Sequence, residues 1–128
     1  MATSVIPVRA SQGTLAVRLS CPRTPQSLAG VLWRYDSSGN PKGKAGEFTP
    51  RIPVVPIGNL GSVKGDLYQI EGVVIAQGDD PPTTYQVVVS VLQDGQSIHD
   101  EVPSDGGTGT VGKDDQTFVY CFQIQAAV

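Results

Sequence analysis

Three stretches of this chain alternate apolar and polar side chains with a period of two. Over residues 14–21, Leu15, Val17, Leu19 and Cys21 share one face and Thr14, Ala16, Arg18 and Ser20 the other. Over 84–92, Tyr85, Val87, Val89 and Val91 oppose Thr84, Gln86 and Ser90; over 116–128, Phe118, Tyr120, Phe122 and Ile124 align. That period belongs to strands buried on one face. Gly and Pro, 15 and 10 residues, punctuate the rest, and no run of helix formers reaches the ~11 residues of a mean helix. The chain reads as all-β.

Residues 67–76 form a further apolar run, with Tyr68, Ile70, Val74 and Ala76 on one face. Its link to the run at 84–92, Gln77-Gly78-Asp79-Asp80-Pro81-Pro82-Thr83, is built of turn formers, which predicts a long central β-hairpin. Residues 5–8 carry Pro7, which lacks the N–H that a central strand needs, so residues 1–10 are expected as an edge strand or extended arm. Thr24 and Pro25 suit one helical turn as N-cap and first residue. Residues 31–35 place Val31, Trp33 and Tyr35 together, and 36–46 read as a loop. Pro50, Pro53 and Pro56 repeat at the period of polyproline II; without a basic residue at the offset that SH3-type ligands use, the segment reads as an extended connection packing Ile52, Val54, Val55 and Ile57. Asp94-Gly95 signals a tight turn, with a returning strand over 97–102, and 103–115 is a Gly- and Asp-rich loop.

Seven or eight strands follow from this pass. The expected architecture is a single domain over 1–128, a two-sheet antiparallel β-sandwich of immunoglobulin-like or jelly-roll topology, with a closed barrel as second choice. At 128 residues the chain buries roughly two-thirds of its unfolded surface and needs no metal or disulfide to fold.

Charged residues make up 16%, below the ~25% usual for soluble domains, which leaves a neutral surface suited to association. The formal net charge is −3 and the nine basic residues are scattered from Arg9 to Lys113, which argues against nucleic acid as a partner. No run approaches the ~20 apolar residues of a membrane span, and the first residues lack a basic n-region and a long apolar core. The expectation is cytoplasmic synthesis without a signal peptide, followed by incorporation into a larger particle.

Residues 107–113, Gly-Thr-Gly-Thr-Val-Gly-Lys, satisfy both G-x-G-x-x-G and G-x-x-x-x-G-K. Both motifs require a helix to follow, whereas a period-two strand follows here, and Asp114 replaces the residue that would hold magnesium. The segment is read as a hairpin loop. His99 is the only histidine; its neighbour Asp100 would point to the opposite face of a strand, so no hydrolase triad forms and a solvent-facing histidine is expected. Asp79, Asp80, Asp105, Asp114 and Asp115 all fall in expected loops and are the calcium candidates, since calcium takes six to eight oxygens. Without them, no metal or cofactor is implied.

Cys21, Trp33 twelve residues on, and Tyr120-Cys121 resemble the Cys, Trp, Tyr-x-Cys pattern of immunoglobulin domains. The match departs from that pattern: the cysteines are a hundred residues apart, the Tyr adjoins the second Cys, and no further strand follows. Cys121 lies opposite the aromatic face, and two free thiols are expected.

With no nucleophile-base pair or metal cluster in view, the chain is expected not to be an enzyme. It reads as a structural or interaction subunit that self-associates or docks on a larger protein assembly; a viral decoration or tail component belongs to this class. The contact candidates are Val5, Ile6, Val8, Ile52, Val54 and Trp33. The alternative is a lectin-like or calcium-dependent module, with a glycan met by the Asp-rich loops and by Trp33 or exposed tyrosines.

Overall fold

A computed structural model describes residues 3–9 and 13–126. The strands are β1 (Thr3–Val8), β2 (Thr14–Ser20), β3 (Leu28–Tyr35), β4 (Pro41–Phe48) and β5 (Val54–Asn59). After the single helical turn α1 (Leu60–Val63) come β6 (Leu67–Val74), β7 (Thr83–Gln86), β8 (Val88–Gln93), β9 (Gln96–Glu101), β10 (Thr108–Val111) and β11 (Gln116–Ala126). A five-stranded sheet runs in the order β1-β11-β6-β3-β4, a four-stranded sheet in the order β5-β2-β8-β9, and β10 pairs with β7. The two larger sheets share one hydrophobic core, and among the described residues each has two edges without a further strand. The fold is therefore sandwich-like and not closed into a barrel.

The alternating stretches supply that core. Leu15, Val17 and Leu19 of β2, Val89 and Val91 of β8, and Phe118, Tyr120, Phe122 and Ile124 of β11 are all buried, as are Tyr68, Ile70 and Val74 of β6. Each such side chain contributes about 1.5–3 kcal/mol of apolar burial. Phe122 stacks on Tyr68 with ring centroids 5.1 Å apart and on Tyr120 at 5.7 Å. The turn Asp94-Gly95 joins β8 to β9 with both residues at positive φ, 51° and 82°, the type I′ geometry of a two-residue hairpin.

Several expectations give way. Residues 67–76 and 84–92 are not two arms of a hairpin: β6 joins the five-stranded sheet, β7 pairs with β10, and β8 joins the four-stranded sheet. After β6 the chain is bonded elsewhere, Ile75 N donating to Ser27 O at 2.9 Å and Gly78 N to Gly112 O at 2.8 Å. Alternation reports which face is buried; it does not name the neighbouring strand. Eleven strands in three sheets are described instead of seven or eight in two, and β1 runs parallel to β11. Residues 24–29 form no helical turn, since β3 begins at Leu28. The loops expected over 36–46 and 103–115 contain β4 and β10. In β3 the face of Val31, Trp33 and Tyr35 is the outer one; Leu28 and Leu32 face the core.

Among the described residues no helix is long and apolar enough to cross a membrane.

Candidate functional site

The two margins of the sandwich differ in chemistry. On one, β1 and β9 are the edge strands of the two large sheets. They are clasped through Glu101, whose Oε2 accepts from Ser4 Oγ at 2.8 Å and whose Oε1 accepts from Tyr120 Oη at 3.0 Å. His99 Nε2 lies 2.9 Å from the same Oε1. Partial burial works to raise the Glu101 carboxyl, but the hydrogen bonds from His99, Ser4 and Tyr120 outweigh it and leave the group below its ordinary value. Burial pushes the Tyr120 phenol up. Ser4, Ile6 and Val8 face inward on β1, so Val5 faces out and is 51% exposed; Ile98 on β9 is 41% exposed.

On the other margin, β4 and β5 leave an open cleft of about 410 Å³ between the sheets. Arg34, Lys42 and Tyr68 bring polar groups to it, and Ala45, Pro56 and Ile57 bring apolar surface. Arg34 Nε donates to Asp66 Oδ2 at 2.6 Å and Nη2 to Ser62 O at 2.6 Å, while Lys42 Nζ reaches the same Asp66 oxygen at 3.4 Å. The Arg34 guanidinium also stands 6.0 Å from the centre of the Tyr68 ring. Burial pushes the Tyr68 phenol up to about 12, Arg34 opposing and Asp66 adding to the shift.

No family model, curated protein or solved structure matches this chain. The reading of function accordingly rests on these margins.

The contact candidates divide. Ile6 and Val8 are fully buried in the core and offer no contact surface, a correction that follows from the pairing of β1 with β11 along its whole length. Val5 and Ile52 are exposed, the latter at 56%, and Val54 and Trp33 are half-buried. The extended connection expected to pack Ile52, Val54, Val55 and Ile57 holds in part: Val55 is buried and Ile57 packs on the core within edge strand β5, where Pro56 lies at a bulge, but Ile52 is exposed, because Thr49 and Ile52 exchange backbone hydrogen bonds of 3.1 and 3.0 Å around a turn. Residues 1, 2 and 10 of the expected arm lie outside the described residues.

Asp79, Asp80 and Asp114 line one shallow cleft, with Lys113 among them. Asp79 Oδ2 accepts from Thr83 Oγ1 at 2.8 Å and pins its own loop, whereas Asp115 Oδ1 accepts from the Ala76 amide at 2.7 Å and ties the start of β11 to the segment after β6. Asp105 is held apart, its carbonyl accepting from Val119 N at 3.0 Å. Among the described residues no three His, Cys, Asp or Glu side chains form a group that could hold a metal ion. In the glycine-rich segment, residues 108–111 are strand β10 and strand β11 follows, so no helix N-terminus faces a phosphate. Among the described residues no disulfide joins Cys21 and Cys121, and burial raises both thiols above the ordinary value.

Sequence reasoning missed Ile98, and it missed the joining of Arg34, Lys42, Asp66 and Tyr68. Arg34 and Asp66 stand 32 residues apart on different elements. No spacing rule connects them. The one available signal was an arginine on the same face of β3 as the core residue Leu32.

Proposed function

We propose that this chain is a non-catalytic interaction subunit that associates with copies of itself or docks on a larger protein assembly through the β1 edge. The observation that carries this reading is the contrast between the two edges of the five-stranded sheet. Unpaired edges invite strand addition, and proteins blunt them with lysines, bulges or strong twist. Edge β4 has Lys42 and Lys44, and its pairing with β3 shifts register twice. Edge β1, Thr-Ser-Val-Ile-Pro-Val, has no charged residue and presents Val5 outward, with Pro7 its only guard. Neighbouring β9 adds the exposed Ile98. The low charge of the whole chain supports the same reading.

The test is the mass in solution by light scattering over a hundredfold range of concentration, for the natural chain and for Val5→Lys. An oligomer that Val5→Lys dissociates supports the β1 edge as the contact. A strict monomer throughout the range overturns the self-association arm; the docking arm then falls if amide exchange shows β1 fraying freely, since a frayed strand cannot present an edge.

A further inference from the structure

Resting on the reading of β1 as the contact edge, the backbone of that edge defines the partner that fits it. On β11, Val119 N donates to Asp105 O on the β1 side of the strand at 3.0 Å, and Ile124 O accepts from Gly65 N on the β6 side at 2.8 Å. Backbone groups of successive residues in a strand point to opposite sides, so Cys121, Gln123 and Gln125 direct theirs at β1. Thr3, Val5 and Pro7 are level with those three residues, and in a parallel pair the residues level with inward-pointing ones point away. The free edge therefore offers the N–H and C=O of Thr3 and Val5 and the C=O of Pro7, which has no N–H to give. Pro7 guards one donor position and costs β11 no bond.

This short edge is complementary to itself. When a second copy lies antiparallel with its Val5 level with Val5 of the first, the two valines exchange both bonds, and each Thr3 N–H meets the Pro7 C=O of the other copy. Every edge donor in β1 is then used, and only the Thr3 carbonyls are left to water. The register keeps Ile6 and Val8 of both copies on the core side and brings the Val5 side chains, 51% exposed, directly together. A two-fold at Pro7 forms no bond within the two strands, and one at Thr3 or Ile6 leaves half of the donors unpaired; one at Ser4 uses all of them over a shorter overlap. Without a charged residue, β1 has nothing that repels its own copy or selects a charged strand instead.

We propose that two copies of this chain pair β1 with β1 about a two-fold axis at Val5, joining their five-stranded sheets into one continuous sheet.

Light scattering of two variants, and isotope-filtered NOE spectra of an equal mixture of labelled and unlabelled full chain, test the pairing. Pro7→Ala supplies an N–H opposite each Thr3 carbonyl and should tighten the dimer about five- to fiftyfold, the worth of two added hydrogen bonds. Val5→Pro removes the two central donors and spares the bonds to β11, so it should give a monomer whose amide spectrum stays dispersed. In this register Ser4 lies opposite Ile6 of the other copy as a non-hydrogen-bonded pair, and their Hα protons should show a contact between copies. An oligomer that Val5→Lys dissociates, but whose mass ignores Val5→Pro and Pro7→Ala or whose spectra set Ser4 against Ser4, would overturn this pairing and leave the β1 edge as the contact. A strict monomer even as Pro7→Ala would overturn it too, leaving only docking on another protein.

Discussion

The phenol of Tyr120 on β11 donates to Glu101 on β9 at 3.0 Å, and that bond joins the five-stranded sheet to the edge of the four-stranded one. Glu101 is also the acceptor for Ser4 of β1, so a single carboxylate ties three strands. Two of them, β1 and β9, are edges, which lack a second neighbour and depend on such ties.

Acid should loosen this margin first. The Glu101 carboxyl lies below its ordinary value of 4.5, so its contribution to stability is fully present above that value and is lost as pH falls through the lower folded-state value. Asp100, lowered by hydrogen bonds from Ser90 and Ser97, acts in the same direction. Glu101→Gln should therefore flatten the fall in stability below pH 4.5 without abolishing it, while costing stability at pH 7. Urea unfolding at a series of pH values measures both effects; an equally steep acid limb in the variant would remove Glu101 from this role.

Across the five-stranded sheet, Phe118, Gly72, Gly30 and Phe48 stand side by side on four strands. The Phe118 ring occupies the space that a Cβ on Gly72 would take, and a Cβ on Gly30 would come within 2.8 Å of the Glu71 carbonyl. Gly72 lets the Phe118 ring lie over the middle of the sheet, and Gly30 lets the β6 backbone approach closely. Gly72→Ala should cost about 1–3 kcal/mol by overpacking, and less in a Phe118→Leu background, where the blocking ring is gone. Denaturant midpoints of the two single variants and the double variant test this coupling.

How much of this could be read from the chain differs by element. β2 and β11 were legible because each alternates cleanly and each buries one whole face. β4 was not, because Pro41-Lys42-Gly43-Lys44-Ala45-Gly46 has the composition of a loop; it is a strand through its pairing with β3, with Gly43 at φ 104° and Gly46 leaving room for Val55 of β5. The central hairpin failed for a different reason, since local pattern carries no record of which strand lies alongside. Both margins were illegible for that same reason: Ser4 and Glu101 are 97 residues apart, and Arg34 and Asp66 meet only once β3 and β6 are paired.

The Asp94-Gly95 turn was legible, and it also anchors β2: the Thr14 amide donates to Asp94 Oδ1 at 3.0 Å, and Asp94 N donates to Thr14 O at 3.0 Å. Gly95 at φ 82° lies where a β-branched side chain is strained, so Gly95→Val should cost about 1–2 kcal/mol. Asp94→Asn keeps an oxygen acceptor and tolerates positive φ, and should be close to neutral. Thermal unfolding ranks the two; equal loss in both would mean that the charge at Asp94 matters more than the backbone conformation.

Tyr68→Phe should stabilise the chain. The hydroxyl is buried without a partner, so the folded state bears its desolvation and receives no hydrogen bond in return. Removing it keeps the ring stack on Phe122 and the contact with Arg34. A gain of about 1 kcal/mol is expected in urea unfolding, where most core substitutions lose stability. A Tyr68→Phe variant less stable than the natural chain would mean that the hydroxyl has a partner in solution, and that its burial is not a net cost to the fold.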